Sequence, residues 1–216
     1  MPDRDQLEQL TSCGGSDFRE LYEIYAASIA AREQKPKDWI CAMVQAPEYK
    51  VWVMKSAGHV EAFSILFLPR GESFALLEYM AVTQAERNHG VGSALFKLIM
   101  ARALTPDGHS LPVVLEVDSD REACGDQQMR TRRQLFYRRL GCVRIVGLHY
   151  ILPLSGEGAV PAMDLLMYSA VPRPSLPKVD LQRWLTTMYR DVYHCPADDP
   201  RILRMLRDVP DPVRLE

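Results

Sequence analysis

The sequence predicts an α/β fold: a mixed, mostly antiparallel twisted sheet flanked by helices, with a helical appendage at the C-terminal end. Three observations predict it. Residues 49–55, 60–68 and 74–82 are rich in Val, Ile, Phe and Tyr, and turn-forming segments separate them, so they read as an antiparallel meander. A glycine-containing turn then opens a strongly amphipathic helix. Finally, PVVLEV at 112–117 is the short apolar run expected of a buried strand beside a crossover helix. The composition permits such a core: 216 residues with 47% hydrophobic and 25% charged side chains exclude a disordered chain.

Taken in order, FRELYEIYAASIAA places Leu21, Ile24 and Tyr25 at helical spacing, with Asp17 as the expected N-cap. A short helix follows Pro36 through Trp39, Met43 and Val44 and ends before Pro47. After the meander, Val91, Ala94, Leu95, Leu98 and Ile99 form the apolar face of the next helix. Another helix is expected over 129–140, stopped by Gly141 in the C′ position. Strands over 142–152 and 163–168 complete a domain spanning 1–170. Pro172, Pro174 and Pro177 make 171–178 a semi-rigid linker. The appendage, 179–216, holds an amphipathic helix through Leu181, Trp184, Leu185, Met188, Tyr189 and Val192. A second helix follows Pro200, capped by Asp198 or Asp199. Its apolar face packs on the chain's own domain or makes a homodimer.

Several classes of function are disfavoured. With 26 basic and 28 acidic residues the chain has no electrostatic footprint for nucleic acid. No apolar run is long enough for a membrane span, and the first residues lack a signal peptide's apolar core, so a cytoplasmic location is expected. Cys13, Cys41, Cys124, Cys142 and Cys195 are odd in number and irregularly spaced, which predicts reduced thiols and neither a disulfide framework nor a zinc site.

The chemistry concentrates in LEYMAVTQAERNHGVGSALFKLI. A strand runs into a loop, and the loop into a helix whose start carries Gly90 and Gly92. Free N–H groups in that first turn, with the positive end of the helix dipole, make an anion site, and Arg87 adds a charge. A dinucleotide fold would place its first glycine at the strand end and a third glycine where Leu95 stands. Seven residues separate Val82 from Gly90, so that reading is rejected.

Arg87-Asn88-His89-Gly90-Val91-Gly92 resembles the (Arg/Gln)-x-x-Gly-x-(Gly/Ala) signature of the GCN5-related N-acetyltransferases, the GNAT family. PVVLEV followed by LFYRRLGCVRI resembles the family's fifth strand and its "LYxxLGF" helix. The resemblance implies a sheet splayed between the fourth and fifth strands, with acetyl-CoA as co-substrate and an amine acceptor. It implies that Arg87, Asn88, His89, Gly90, Val91, Gly92 and Ser93 hold the pyrophosphate. The strand backbone at Met80, Ala81 and Val82 would hold the pantetheine arm and polarise the thioester carbonyl. Tyr137 would be the general acid for the departing thiolate.

An ammonium acceptor must lose a proton before it attacks, and Glu116 or Glu78 is the expected base. The stretch 118–131 lengthens the interval from Glu116 to Tyr137 and is expected to shape acceptor choice. With Glu33 and Glu78 it would form an acidic cleft suited to a cationic small molecule. Arg130, Arg132, Arg133, Arg138, Arg139 and Arg144 form a basic cluster, read as a solvated face or as a contact for the 3′-phosphate of CoA or for an acidic acceptor. The pair His149-Tyr150 either reaches the acceptor or simply packs. Direct attack by the amine in a ternary complex needs no enzyme nucleophile. The alternatives are a non-catalytic acyl-CoA sensor, and an acetyltransferase for protein N-termini or lysines.

Overall fold

The computed structural model describes residues 7–121, 125–154 and 162–216. Cys124 and part of the 118–131 stretch lie outside these residues. The chain forms two compact units: Met1–Gly71 with Ala75–Ser110, and Glu72–Phe74 with Leu111–Glu216.

The first unit contains β1 (Leu7–Gln9), α1 (Ser16–Ser28), α2 (Lys37–Gln45), β2 (Tyr49–Ser56), β3 (His59–Phe67), β4 (Ala75–Val82) and α3 (Val91–Met100). The strands pair antiparallel in the order β1, β2, β3, β4, which is the expected meander plus one short edge strand. Phe18, Leu21, Ile24 and Tyr25 of α1 and Ile40, Met43 and Val44 of α2 are buried with Val51, Val53, Phe63 and Ile65 of the sheet. Truncating a fully buried residue such as Leu21 costs about 2–5 kcal/mol in a core of this kind.

Two expectations change here. Gly15, not Asp17, stands at the N-cap of α1, and no side chain caps it. Asp17 lies within the first turn and pairs with Lys55 at 2.6 Å, a better use of its charge than a cap once β2 brings the ammonium near. Cys13 and Cys41, expected as thiols, form a disulfide with Cα atoms 5.7 Å apart. The loop before α1 passes close to α2, a proximity that a 28-residue separation does not reveal. Cys142 and Cys195 are free thiols.

The second unit contains β5 (Val113–Asp118), α4 (Gln127–Arg139), β6 (Val143–Arg144), β7 (Met163–Tyr168), β8 (Ser175–Leu176), α5 (Lys178–Thr187), α6 (Pro200–Leu206) and β9 (Val213–Arg214). The β7 strand pairs antiparallel with both β5 and β6. The strand expected over 142–152 is reduced to the two residues of β6. Gly147 turns the chain with φ +80°, and beyond it an isolated bridge joins Tyr150 to Met163. Within the proline-rich stretch, β8 pairs with β9, so that stretch is held in a small ribbon.

Leu181, Trp184 and Leu185 of α5 are buried, and a π-helical turn, Met188–Val192, continues the same apolar face. Trp184 stacks on Phe74 with centroids 5.3 Å apart, and Glu72 binds Arg183 at 3.0 Å and Thr187 at 3.1 Å. The chain itself therefore covers that face. Asp199 caps α6 through the backbone N–H of Arg201 at 3.0 Å. Among the described residues no helix is long and apolar enough to cross a membrane.

Candidate active site

In the first unit, β4 leads through the short turn Gln84–Glu86 into the loop before α3. Gly90 is the N-cap of α3 with φ +86°, in the left-handed region that glycine enters without a Cβ penalty. No side chain caps this helix end, so the N–H groups of Val91, Gly92 and Ser93 are open to an anion. A Cβ on Gly90 would meet no protein atom within 4 Å, which leaves the approach clear from outside. Arg87, Asn88, His89 and Gly90 are exposed, whereas Val91 anchors the turn in the core. Among the described residues Arg87 has no ion-pair partner, and His89 lies 3.7 Å from Glu86. An open helix N-terminus beside an unpaired guanidinium fits the pyrophosphate of acetyl-CoA.

Upstream on β4, Met80, Ala81 and Val82 pair with Ser64, Phe63 and Ala62 of β3. The register then shifts: Tyr79 faces Ile65 and Leu77 faces Leu66, so Glu78 is the extra residue of a β-bulge. Bulges of this kind re-aim a side chain. Here the Glu78 carboxylate, 3% exposed, meets the ammonium of Lys35, which is 12% exposed. The backbone at Lys35 and just before it is held in place. Its backbone N–H donates to the Tyr25 hydroxyl at 2.6 Å, and Gln34 donates to the carbonyls of Ala26 and Ile29 at 3.0 and 2.7 Å. The Tyr79 hydroxyl donates to the Glu33 carbonyl at 3.2 Å. Burial raises the pKa of Tyr25 and keeps its phenol neutral.

In the second unit, Glu116 of β5 is engaged at both oxygens. Tyr150 donates its hydroxyl to Oε1, and Tyr193 donates to Oε2 at 2.5 Å. Burial, followed by the nearby Glu116 charge, raises the pKa of Tyr150 well above that of an ordinary phenol. Tyr189, beside them, donates to the Ile151 carbonyl. Tyr137 sits on α4, which is fixed by the buried Gln134: its amide donates to the Asp118 carbonyl at 2.9 Å and to Asp164 at 3.1 Å. Burial pushes the Tyr137 phenol up to about 12 against the pull of Arg133. It is therefore a neutral hydrogen-bond donor at physiological pH.

Four of the carboxylates expected to line an acidic cleft are ion-paired. Asp118 pairs with Arg133, Asp126 with Arg130 at 2.9 Å, Glu33 with Arg32 at 3.4 Å, and Glu78 with Lys35. Much of the basic cluster is neutralised in the same way, Arg144 pairing with Glu216 at 2.7 Å. Of the pair His149-Tyr150, the tyrosine turns inward to Glu116 and the histidine is exposed. Tyr193 and Lys35 were missed by sequence reasoning. Tyr193 follows directly on the apolar pattern that ends at Val192, a signal that could have been used, whereas nothing local marks Lys35.

None of the curated proteins matches the chain. Solved structures do resemble it. A GNAT-family protein from Bacteroides thetaiotaomicron is 19% identical, over 88% of this chain and 99% of that one, with a TM-score of 0.71. An aminoglycoside 6'-N-acetyltransferase complexed with coenzyme A is 14% identical over 78% and 99%, with a TM-score of 0.60. A GNAT acetyltransferase from Elizabethkingia anophelis, solved with acetyl-CoA bound, is 16% identical over 77% and 99%, with a TM-score of 0.52. At these identities the likeness speaks for the fold. The model of the acetyltransferase (GNAT) family matches residues 17–141, more than half of the sequence and including the open helix end at Gly90 and the tyrosine of α4. The chain is thus a member of the GNAT family of acetyltransferases, with acetyl-CoA as its co-substrate.

Proposed function

We propose that this enzyme moves the acetyl group of acetyl-CoA to a primary amine of a small molecule, by direct attack in a ternary complex. The observation that carries the reading is the uncapped, exposed N-terminus of α3 behind Gly90, flanked by Arg87. Acetyl-CoA supplies the activated thioester. The N–H groups of Val91, Gly92 and Ser93, with the loop from Arg87, hold its pyrophosphate, and the β4 backbone at Met80, Ala81 and Val82 holds the pantetheine arm. Glu78 and Glu116 are the carboxylates through which the amine's proton leaves. Burial keeps the Tyr137 phenol protonated, so Tyr137 serves the departing sulfur as hydrogen-bond donor and general acid. The depth of Glu78, only 3% exposed, favours a slender amine over a folded protein surface.

A second reading, an acyl-CoA-binding module without turnover, is favoured by one observation: both carboxylates are already engaged by the protein's own groups. Release of CoA thiol separates the two. Wild type and Tyr137→Phe are compared with acetyl-CoA and a panel of spermidine, tyramine, kanamycin, an alanine-terminated peptide and a lysine peptide. Transfer to a small amine, with kcat lowered about 100-fold in Tyr137→Phe and the KM for acetyl-CoA unchanged, supports the enzyme reading. Binding of acetyl-CoA with no transfer to any acceptor supports the module. Transfer to the peptides alone moves the acceptor to proteins.

A further inference from the structure

We propose that Lys35 is itself an acceptor, so that the protein acetylates its own Lys35 Nζ. This rests on the acetyltransferase reading above. The chain builds a primary amine directly onto one of its two candidate bases: the Lys35 ammonium lies on the Glu78 carboxylate, with both groups largely removed from solvent. The presentation is specific. Tyr25 and Gln34 fix the backbone at Lys35 and just before it, and the β-bulge at position 78 aims the carboxylate that receives it. Glu78 stands two residues before Met80, about 7 Å along the strand from the backbone assigned to the thioester arm. The flexible four-carbon stem of lysine lets the ammonium swing over such a distance. Lys37 serves as an internal comparison. It is two residues away, yet its ammonium lies over the rings of Tyr22 and Phe18, at 5.4 and 5.9 Å, with no carboxylate assigned to take its proton.

In the step, one proton of the Lys35 ammonium passes to Glu78. The freed lone pair forms the C–N bond to the acetyl carbon, and the C–S bond breaks. The sulfur leaves as thiolate and takes up a second proton from nitrogen, while Glu78 returns its own to solvent. Lysine ammonium and acetyl-CoA become acetyl-lysine, CoA and one proton. The modification removes the charge of Lys35 and with it the ion pair that neutralises a buried carboxylate.

The test uses the full chain incubated with acetyl-CoA carrying a carbon-13 acetyl group, followed by peptide mass spectrometry. Thermal-shift binding of acetyl-CoA and urea unfolding are measured in parallel. The expected result is label on Lys35 accumulating about 100-fold faster than on Lys37, and slowed by a similar factor in Glu78→Gln. The unfolding midpoint of the labelled protein should fall toward that of Lys35→Gln, while Lys35→Arg remains near wild type and takes no label. If acetyl-CoA binds but Lys35 is labelled no faster than Lys37, the self-acetylation proposal is overturned and the acetyltransferase reading stands. If acetyl-CoA does not bind, both fall.

Discussion

Replacing Tyr193 by Phe removes one oxygen and leaves the ring in place, so it probes what that hydroxyl contributes. That oxygen donates to Glu116 Oε2 at 2.5 Å, with Tyr150 on the other carboxylate oxygen. A hydrogen bond to a charged acceptor contributes about 1.5–3 kcal/mol, so Tyr193→Phe should cost about 2 kcal/mol. For a chain of this size that lowers Tm by about 4–8 °C. Tyr150 is 3% exposed and water cannot replace its hydroxyl, so Tyr150→Phe should cost about 3 kcal/mol, the upper end of the range. In a Glu116→Gln background the charge is gone, and Tyr193→Phe should cost only about 1 kcal/mol, leaving a coupling energy near 1 kcal/mol. Urea unfolding followed by both far-UV circular dichroism and tryptophan fluorescence provides the assay, since coincident transitions justify a single unfolding free energy. If Tyr193→Phe costs the same with and without the Glu116 charge, the clamp is not electrostatic and the reasoning fails.

Other residues give equally direct expectations. Gly90→Val forces a β-branched side chain to φ +86° at the mouth of the anion site; it should cost about 1–2 kcal/mol of stability and weaken CoA binding at least ~10-fold, and wild-type affinity would contradict the cradle. Asp199→Ala removes the cap of α6 and should destabilise by about 1 kcal/mol. The hydrogen bonds from Arg201 hold the folded pKa of Asp199 below its ordinary value, so this carboxylate's contribution is complete above pH ~4 and is lost as pH falls through the folded value. The stability gap between wild type and Asp199→Ala should therefore narrow in acid, and a gap that widens there would be inconsistent with this. Reducing the Cys13–Cys41 bond, which closes a loop of 28 residues, should cost about 3.5 kcal/mol by chain entropy; a stability indifferent to dithiothreitol would show that the bond is not formed.

The parts of the fold legible in the sequence were those set by local pattern. The meander and α3 follow from apolar periodicity bounded by turn residues, the end of α4 follows from Gly141, and the turn that opens α3 follows from glycine spacing. What escaped is made by distant pairing. Lys35 meets Glu78 across 43 positions and Tyr193 meets Glu116 across 77, and no periodicity encodes either. The bulge at Glu78 depends on the register of β3 against β4, which alternation within one strand does not fix. The Cys13–Cys41 pairing was hidden for the same reason. Of the carboxylates expected to line an acidic cleft, Glu78 and Asp118 likewise meet cations distant in sequence, Lys35 and Arg133, whereas Glu33 and Asp126 pair locally with Arg32 and Arg130.

The anion site at the start of α3 is tested most directly by a thermal-shift titration with acetyl-CoA, CoA and NADH side by side. A ligand that binds the folded state at ~100 times its Kd stabilises it by about 2.7 kcal/mol. Tm should rise with the concentration of acetyl-CoA and of CoA and stay unchanged with NADH. An unchanged Tm with both CoA species at millimolar concentration would contradict this.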